Sequence, residues 1–252
     1  MSKLPKITLT FWIMKICATT LGETAGDLLS MTLKIGYAVS SLILIGFFFT
    51  TLVAQLRSKK HHPMLYWAVI LSTSTAGTTM SDYMDRTLGL GYAKGSAILL
   101  MLLLAILAFW RFTVRDLSVE NIKTFKVELL YWTAILFSNT LGTALGDFLS
   151  DNSGLGFGGG AILISGLIGI IALTYYFTSV SRVILFWAAF VLTRPLGATM
   201  GDLLTKPYEK GGLNFGTIGS SAVLFFILVF FVFHSTQAER KAFAPQEPIP
   251  SA

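Results

Sequence analysis

The chain has 252 residues, of which 54% are hydrophobic and only 13% are charged, and its mean hydropathy is +0.70. This composition excludes an ordinary soluble domain and predicts a membrane protein. The net charge of +6 does not indicate nucleic-acid binding, because Lys and Arg lie in short runs between apolar segments. The single cysteine, Cys17, excludes an intrachain disulfide and a cysteine-based metal site.

Eight apolar segments are long enough for membrane-spanning helices, which need about 20 mostly apolar residues. In chain order the predicted helices are 7–30, 36–56, 64–84, 93–112, 127–150, 158–178, 183–204 and 216–234. The even-numbered helices are apolar on every side and are expected to face lipid. The predicted fold class is an all-α membrane protein with eight transmembrane helices in one domain, residues 1–235.

A short motif that ends in an aspartate occurs four times, once in each odd-numbered helix. Its copies run from Gly22 to Asp27, Gly77 to Asp82, Gly142 to Asp147 and Gly197 to Asp202. Fifteen residues before each aspartate stands a Trp that follows another aromatic residue. The first two copies map onto the last two by a shift of 120 residues. The pattern predicts four two-helix repeats with pseudo-fourfold symmetry, produced by two nested duplications, at about 7–57, 64–112, 127–178 and 183–234.

This fourfold Gly-x-x-x-[Gly/Ser]-Asp pattern, with its upstream aromatic-Trp pair, resembles a bacterial family of four-repeat integral membrane proteins described as uncharacterised membrane-anchored proteins. The resemblance covers residues 11 to about 231. It implies the repeat architecture and no activity. Copy two has Ser81 in place of the second glycine, and copy three lacks the threonine three residues before Asp147. These departures argue against strict equivalence of the four sites.

Each odd-numbered helix carries a polar stripe. Positions 3, 4, 7 and 8 residues before each aspartate share one helix face and hold mostly Thr, Ser and Asn, with Glu23 and Arg194 as charged members. Polar groups inside a membrane must face protein or water. We therefore predict that helices 1, 3, 5 and 7 surround a central path, with small residues four apart permitting close packing. The residues predicted for this path are Glu23, Asp27, Asp82, Asp147, Asp202, Thr24, Thr79, Thr199, Asn139 and Arg194.

The aspartates allow two interpretations. Each could cap the following turn through backbone N–H groups. Alternatively, the four converge and coordinate a cation together with Glu23, and their hard oxygen ligands suit Mg²⁺, Ca²⁺ or Mn²⁺. The second interpretation makes Glu23, Asp27, Asp82, Asp147 and Asp202 the metal ligands, and a divalent cation is the one bound group it suggests. Glu23 and Arg194 are also expected to form an ion pair, which could serve only to join repeats one and four.

Loop charges predict the orientation in the membrane. Lys and Arg are more numerous on the side of the N-terminus, so both termini are expected in the cytoplasm, with the chain crossing the bacterial cytoplasmic membrane several times. Asp85, Arg86 and Asp151 follow the aspartate layer on the other side, where a solvated salt bridge or vestibule charge is expected. The tail, residues 236–252, contains three prolines after residue 244 and is expected to be disordered.

Transport of cations, with divalent metal ions as candidate substrates, is the predicted function. One alternative is a transporter of small organic cations, with Tyr37, Tyr92 and Phe157 forming cation-π walls. Another is a membrane scaffold or signalling protein whose polar interior only specifies the fold. An enzyme is not predicted, because the three histidines fall at the cytoplasmic ends of predicted helices. The expected partners are the lipid bilayer and an inorganic or small organic cation, and oligomerisation stays open.

Overall fold

The computed structural model describes residues 5–58, 60–119, 122 and 124–242, with side chains as far as residue 237, and their regular structure is helical. Eight long helices follow one another: α1 (Leu9–Asp27), α2 (Tyr37–Arg57), α3 (Pro63–Asp82), α4 (Tyr92–Val114), α5 (Phe125–Asp147), α6 (Gly156–Phe177), α7 (Arg182–Thr205) and α8 (Thr217–Ala242). Three odd-numbered helices continue into π-helical turns, Leu28–Thr32, Tyr83–Thr87 and Phe148–Asn152. When these turns are included, the first seven helices lie within three residues of their predicted bounds.

The eighth helix is longer than predicted. It continues through Ala242, so residues 236–242 are helical rather than disordered, while residues 243–252 lie outside the described residues. The added segment contains Ala, Glu, Arg and Lys, which are strong helix formers. They extend a helix beyond the point where its apolar pattern ends.

The odd-numbered helices form a closed ring. Helix α1 packs against α3, α3 against α5, α5 against α7, and α7 returns to α1. Each even-numbered helix packs on the outside of one ring member: α2 on α3, α4 on α5, α6 on α7 and α8 on α1. This is the arrangement of inner odd and outer even helices that the polar stripes predict.

Glycines bring neighbouring ring helices close together. The first glycine of each motif faces the residue eight positions before the aspartate of the next helix, in the pairs Gly22 with Ser74, Gly77 with Asn139, Gly142 with Arg194 and Gly197 with Thr19. A Cβ atom on Gly197 would lie 2.7 Å from the backbone carbon of Thr19, which is too close for any side chain. The ring contacts therefore depend on residues without a Cβ at these points.

The turn from each odd-numbered helix to the next even-numbered one also needs glycine. Gly36, Gly91, Gly156 and Gly216 have φ values of 83°, 72°, 67° and 74° at the start of the four outer helices. Only glycine adopts this conformation without steric strain. A glycine with positive φ thus stands at the start of every outer helix, although the connection after α7 is longer and contains a 3-10 turn, Tyr208–Lys210, in place of a π-helical turn.

Five helices in the described residues are long and apolar enough to cross a membrane: α2, α4, α6, α7 and α8. In the four outer helices 17–28% of the most apolar window is buried, compared with 61% in α7, so the outer helices present apolar surface outward. Helices α1, α3 and α5 do not reach that hydropathy, because they carry the hydroxyl and small residues of the polar stripe. The apolar outer helices indicate a multi-pass membrane protein.

Aromatic residues fill the ring at the N-terminal ends of its helices. The first aromatic residue of each pair packs against the tryptophan of the next repeat, with centroid distances of 5.6 Å for Phe11–Trp67, 5.6 Å for Tyr66–Trp132, 6.3 Å for Tyr131–Trp187 and 5.8 Å for Phe186–Trp12. The hydroxyl oxygens of Tyr66 and Tyr131 are 2.9 Å apart and form a hydrogen bond. We refer to these eight residues as the aromatic belt. The belt connects all four repeats at one end of the ring.

Candidate cation site at the centre of the helix ring

A buried ion pair lies at the centre of the ring. Arg194 Nη2 donates to Glu23 Oε2 at 2.9 Å, and their side chains are 0% and 3% exposed. The same nitrogen lies 2.5 Å from Thr78 Oγ1 and 2.6 Å from Thr143 Oγ1. Both threonine hydroxyls are also within hydrogen-bond distance of Glu23 Oε2, at 3.3 and 3.4 Å. The predicted pair between Glu23 and Arg194 is confirmed, and it joins four helices rather than two.

The register of the repeats explains this cluster. Glu23, Thr78 and Thr143 each stand four residues before the aspartate of their own repeat, so they form one layer. Arg194 stands eight residues before Asp202 and reaches into that layer from one turn below. Its Nε and Nη1 atoms have no hydrogen-bond partner within the described chain. An isolated charge at this depth costs free energy, and the ion pair with Glu23 offsets that cost for the Arg194 guanidinium.

The four aspartates lie one turn beyond this layer, and all four are buried. Lys206 bridges two of them: its Nζ is 2.7 Å from Asp27 Oδ2 and 3.1 Å from Asp202 Oδ1. Burial alone lowers the pKa of the Lys206 ammonium, but the carboxylates of Asp202 and Asp27 outweigh burial, so the pKa lies above its ordinary value. Lys206 is therefore a fixed positive charge on this pair.

Arg86 bridges the other two aspartates. Its Nε is 2.9 Å from Asp82 Oδ1, and its Nη2 is 3.3 Å from Asp147 Oδ2. Arg86 thus forms the partly solvated salt bridge expected on this side, with its side chain 30% exposed, and its partners are two members of the aspartate layer. The neighbouring Asp85 is buried and accepts a hydrogen bond from Ser81 Oγ at 3.3 Å.

The interpretation of the aspartates as helix caps is wrong for three of them. Asp27, Asp82 and Asp147 precede the π-helical turns, and none of these side chains makes a capping hydrogen bond to its turn. The helix does not break after the Gly-Asp or Ser-Asp step, but continues with a wider turn. Their carboxylates are directed to the side chains of Lys206 and Arg86 instead.

Three of the five predicted metal ligands come together. Glu23, Asp147 and Asp202 each offer a carboxylate oxygen, and these oxygens lie within 4.8 Å of one another. A hard cation with ligands at about 2.4 Å spans such a separation. Asp27 and Asp82 belong to the aspartate layer but not to this group of three. The residues present therefore suit a divalent cation held by oxygen ligands.

Two of the three predicted path threonines contact outer helices instead of the centre. Thr24 Oγ1 accepts from Ser221 Oγ of α8 at 2.8 Å, and Thr199 Cγ2 lies beside Gly160 of α6. Thr79 donates to the backbone of its own helix, to Ala76. Adjacent helix positions differ by about 100° in direction, so the residue three before the aspartate points outward when the residue four before points inward. The hydroxyls at the centre are those of Thr78 and Thr143.

Asn139 and Lys15 occupy the interior toward the aromatic belt. Asn139 Nδ2 donates to Thr73 Oγ1 at 2.9 Å, and Lys15 Nζ lies 3.5 Å from Asn139 Oδ1. Lys15 is fully buried, and its ammonium is 4.2 Å from the centroid of Phe190. Lys15 was not among the residues predicted for the central path. The signal for its burial was its position on the same face as Thr19 and Glu23.

Two residues of the proposed cation-π walls, Tyr37 and Tyr92, contact the side chain of Arg86. The Arg86 guanidinium is 5.9 Å from the Tyr37 centroid and 5.6 Å from the Tyr92 centroid, and Arg86 Nη1 donates to Tyr37 Oη at 3.3 Å. Arg86 and Lys206 were not among the predicted site residues. The internal duplication is the sequence signal for these two residues, because a shift of 120 residues aligns Arg86 with Lys206.

The helix ring, its apolar outer helices and its buried charged centre define a multi-pass helical membrane protein built from internal repeats. A family described as "Repeat of Unknown Function (DUF347)" matches residues 10–61, 65–116, 130–181 and 185–241, and the chain belongs to this family. The resemblance to a four-repeat uncharacterised family is thereby confirmed. Neither a curated protein nor a solved structure was found to match the chain.

Proposed function

We propose that the protein transports cations, with divalent metal ions as the favoured substrate, through the acidic centre of the helix ring. The observation that carries this proposal is the group of Glu23, Asp147 and Asp202, whose oxygens lie within 4.8 Å of one another inside the bundle. Ionisable residues within a membrane are costly to retain and generally mark ion pathways. The hydroxyls of Thr78 and Thr143 beside Glu23 add neutral oxygen ligands.

The charge of the aspartate layer favours a divalent over a monovalent ion. With the four aspartates ionised, the layer carries four negative charges, and Arg86 and Lys206 supply two positive charges, so 4 − 2 leaves two negative charges. The Glu23–Arg194 pair beneath it adds no net charge. One divalent cation would neutralise the remainder.

The topology that belongs to this proposal has all eight helices spanning a bacterial cytoplasmic membrane, both termini in the cytoplasm, and a pseudo-fourfold axis along the membrane normal. Helix α1 has 19 residues, or about 28 Å at 1.5 Å per residue, which is close to the thickness of the hydrocarbon core. The cyclic helix contacts support the repeat symmetry. The charge asymmetry of the loops supports the orientation.

A flux assay tests the proposal. The protein is reconstituted in liposomes that contain a metal-sensitive dye, and a panel of monovalent and divalent cations is added outside. Glu23→Gln and Asp147→Asn are expected to reduce the flux of the transported ion at least about tenfold, because each removes a charged ligand. Glu209→Gln serves as the matched control, since Glu209 is exposed and belongs to the turn beyond α7. Wild-type protein that is folded but moves no cation would overturn the proposal.

A membrane scaffold or signalling protein is the second candidate. The observation in its favour is that all four aspartates already have a basic partner, as a purely structural network requires. In that case Asp147→Asn lowers the melting temperature, and no variant changes a flux. A transporter of small organic cations ranks lower, because Arg86 already lies against Tyr37 and Tyr92.

A further inference from the structure

We infer that Arg86 and Lys206 act as tethered cations that occupy the carboxylates of the cation site. A divalent ion must displace these two side chains to bind. The inference rests on the proposed function: these two side chains set the affinity of its cation site. The inference follows from the contacts of two candidate metal ligands. Asp147 and Asp202 belong to the group of three carboxylates, and each already has one oxygen against Arg86 or Lys206.

The geometry makes the competition direct. Lys206 Nζ lies 2.7 Å from Asp27 and 3.1 Å from Asp202, and Arg86 nitrogens lie 2.9 Å from Asp82 and 3.3 Å from Asp147. Each basic side chain thus joins the aspartate of its own repeat to that of the next repeat around the ring. A metal ion that takes an oxygen from either member of a pair weakens the hold on the bridging side chain.

The two bridges stand at equivalent positions in the duplicated chain. Arg86 follows Asp82 by four residues, Lys206 follows Asp202 by four residues, and the 120-residue shift relates them. The same position holds Met31 in repeat one and Asp151 in repeat three. Basic residues therefore occur in alternate repeats, and they divide four aspartates into two bridged pairs. A ring with four bridges would carry no excess negative charge for a metal ion.

Exposure places the bridges on the open side of the carboxylates. The side chains of Arg86 and Lys206 are 30% and 18% exposed, while those of the four aspartates are 5% exposed or less. A cation that arrives from this end meets the bridges before the carboxylates. Both are long side chains outside the α-helical part of the ring, so they can leave by rotamer changes without moving a ring helix. The Tyr37 and Tyr92 rings lie beside Arg86 and can retain its guanidinium after release.

The inference is tested by measuring Mn²⁺ binding to the purified protein by equilibrium dialysis. Lys206→Gln and Arg86→Gln are each expected to tighten Mn²⁺ binding about tenfold, because a competing charge is removed. Lys206→Arg keeps the charge and is expected to bind like the wild type. Lys210→Gln is the matched control, an exposed lysine four residues further along the chain.

A second measurement uses the wild type alone and does not depend on the variants folding. Mn²⁺ binding should free Lys206, so its acetylation by acetic anhydride, read by mass spectrometry, should rise several-fold while that of Lys210 stays constant. Unchanged or weaker Mn²⁺ binding in both glutamine variants, or Lys206 labelling that does not rise with Mn²⁺, overturns the inference. If liposome flux persists in that case, the proposed function stands without it. If wild-type protein neither binds nor transports a cation, both are overturned.

Discussion

The two ends of the helix ring are built from the same four repeats but contain opposite chemistry. At the N-terminal ends, eight aromatic side chains pack in tilted and edge-to-face contacts and complete a closed belt. At the C-terminal ends, four buried aspartates meet two basic side chains that remain partly exposed. Fifteen residues of helix, about 22 Å, separate each tryptophan from its aspartate.

The difference shows what each end contributes. Aromatic rings bury large areas without needing counter-charges, so the belt stabilises the contacts between neighbouring ring helices. The charged end is stable only as a network, because each carboxylate there needs a partner. A protein that needed only a stable bundle could use aromatic packing at both ends, so the acidic end is where a function is to be sought. Three substitutions test this contrast.

The largest expected effect lies at the charged centre. Arg194→Met leaves Glu23 buried without a counter-charge and is expected to lower the free energy of unfolding by about 3–5 kcal/mol. The measurement is unfolding in mixed micelles by SDS titration. Replacing both residues with methionine should recover part of the loss, since neither charge is then buried alone. Arg182→Met, at an exposed position, is the control; equal losses in the two arginine variants would contradict the pairing.

An intermediate effect is expected at the close contact between α7 and α1. Gly197→Ala places a Cβ atom 2.7 Å from the backbone carbon of Thr19 and should cost about 1–3 kcal/mol by forcing α7 away from α1. Gly166→Ala in α6 meets nothing within 4 Å and should be neutral or slightly stabilising, because alanine favours helix. Thermal melting of the two variants side by side gives the comparison. A stable Gly197→Ala protein would show that the ring is looser than the close contact indicates.

The smallest effect is expected at the aromatic belt. Tyr66→Phe removes the hydrogen bond between the Tyr66 and Tyr131 hydroxyl oxygens, which are 2.9 Å apart. The free energy of unfolding should fall by about 1 kcal/mol, while the packing of the aromatic rings remains. Tyr176→Phe, on the exposed surface of α6, should have no effect on the melting temperature. If Tyr66→Phe lowered the free energy of unfolding as much as Arg194→Met, the two ends of the ring would not differ in the way described.

Sequence periodicity predicted the helices, the repeats and the Glu23–Arg194 pair, because regular spacing of apolar, small and polar residues determines which helix faces are buried. It did not predict the inward position of Thr78 in preference to Thr79. One residue of helix changes the direction of a side chain by about 100°, and a polar stripe is wider than that. It also missed Arg86 and Lys206, since their bridges join different repeats and depend on how the helices are packed. The 120-residue shift alone relates those two positions.

The closure of α7 onto α1 has a consequence for the synthesis of the chain. Glu23 and Arg194 are 171 residues apart, so at roughly 5–20 residues per second the ribosome adds Arg194 roughly 9–34 s after Glu23. During that interval the first helix carries a carboxylate whose permanent counter-charge does not yet exist. The nascent protein therefore needs water, lipid headgroups or the insertion machinery to shelter Glu23 until its last repeat arrives.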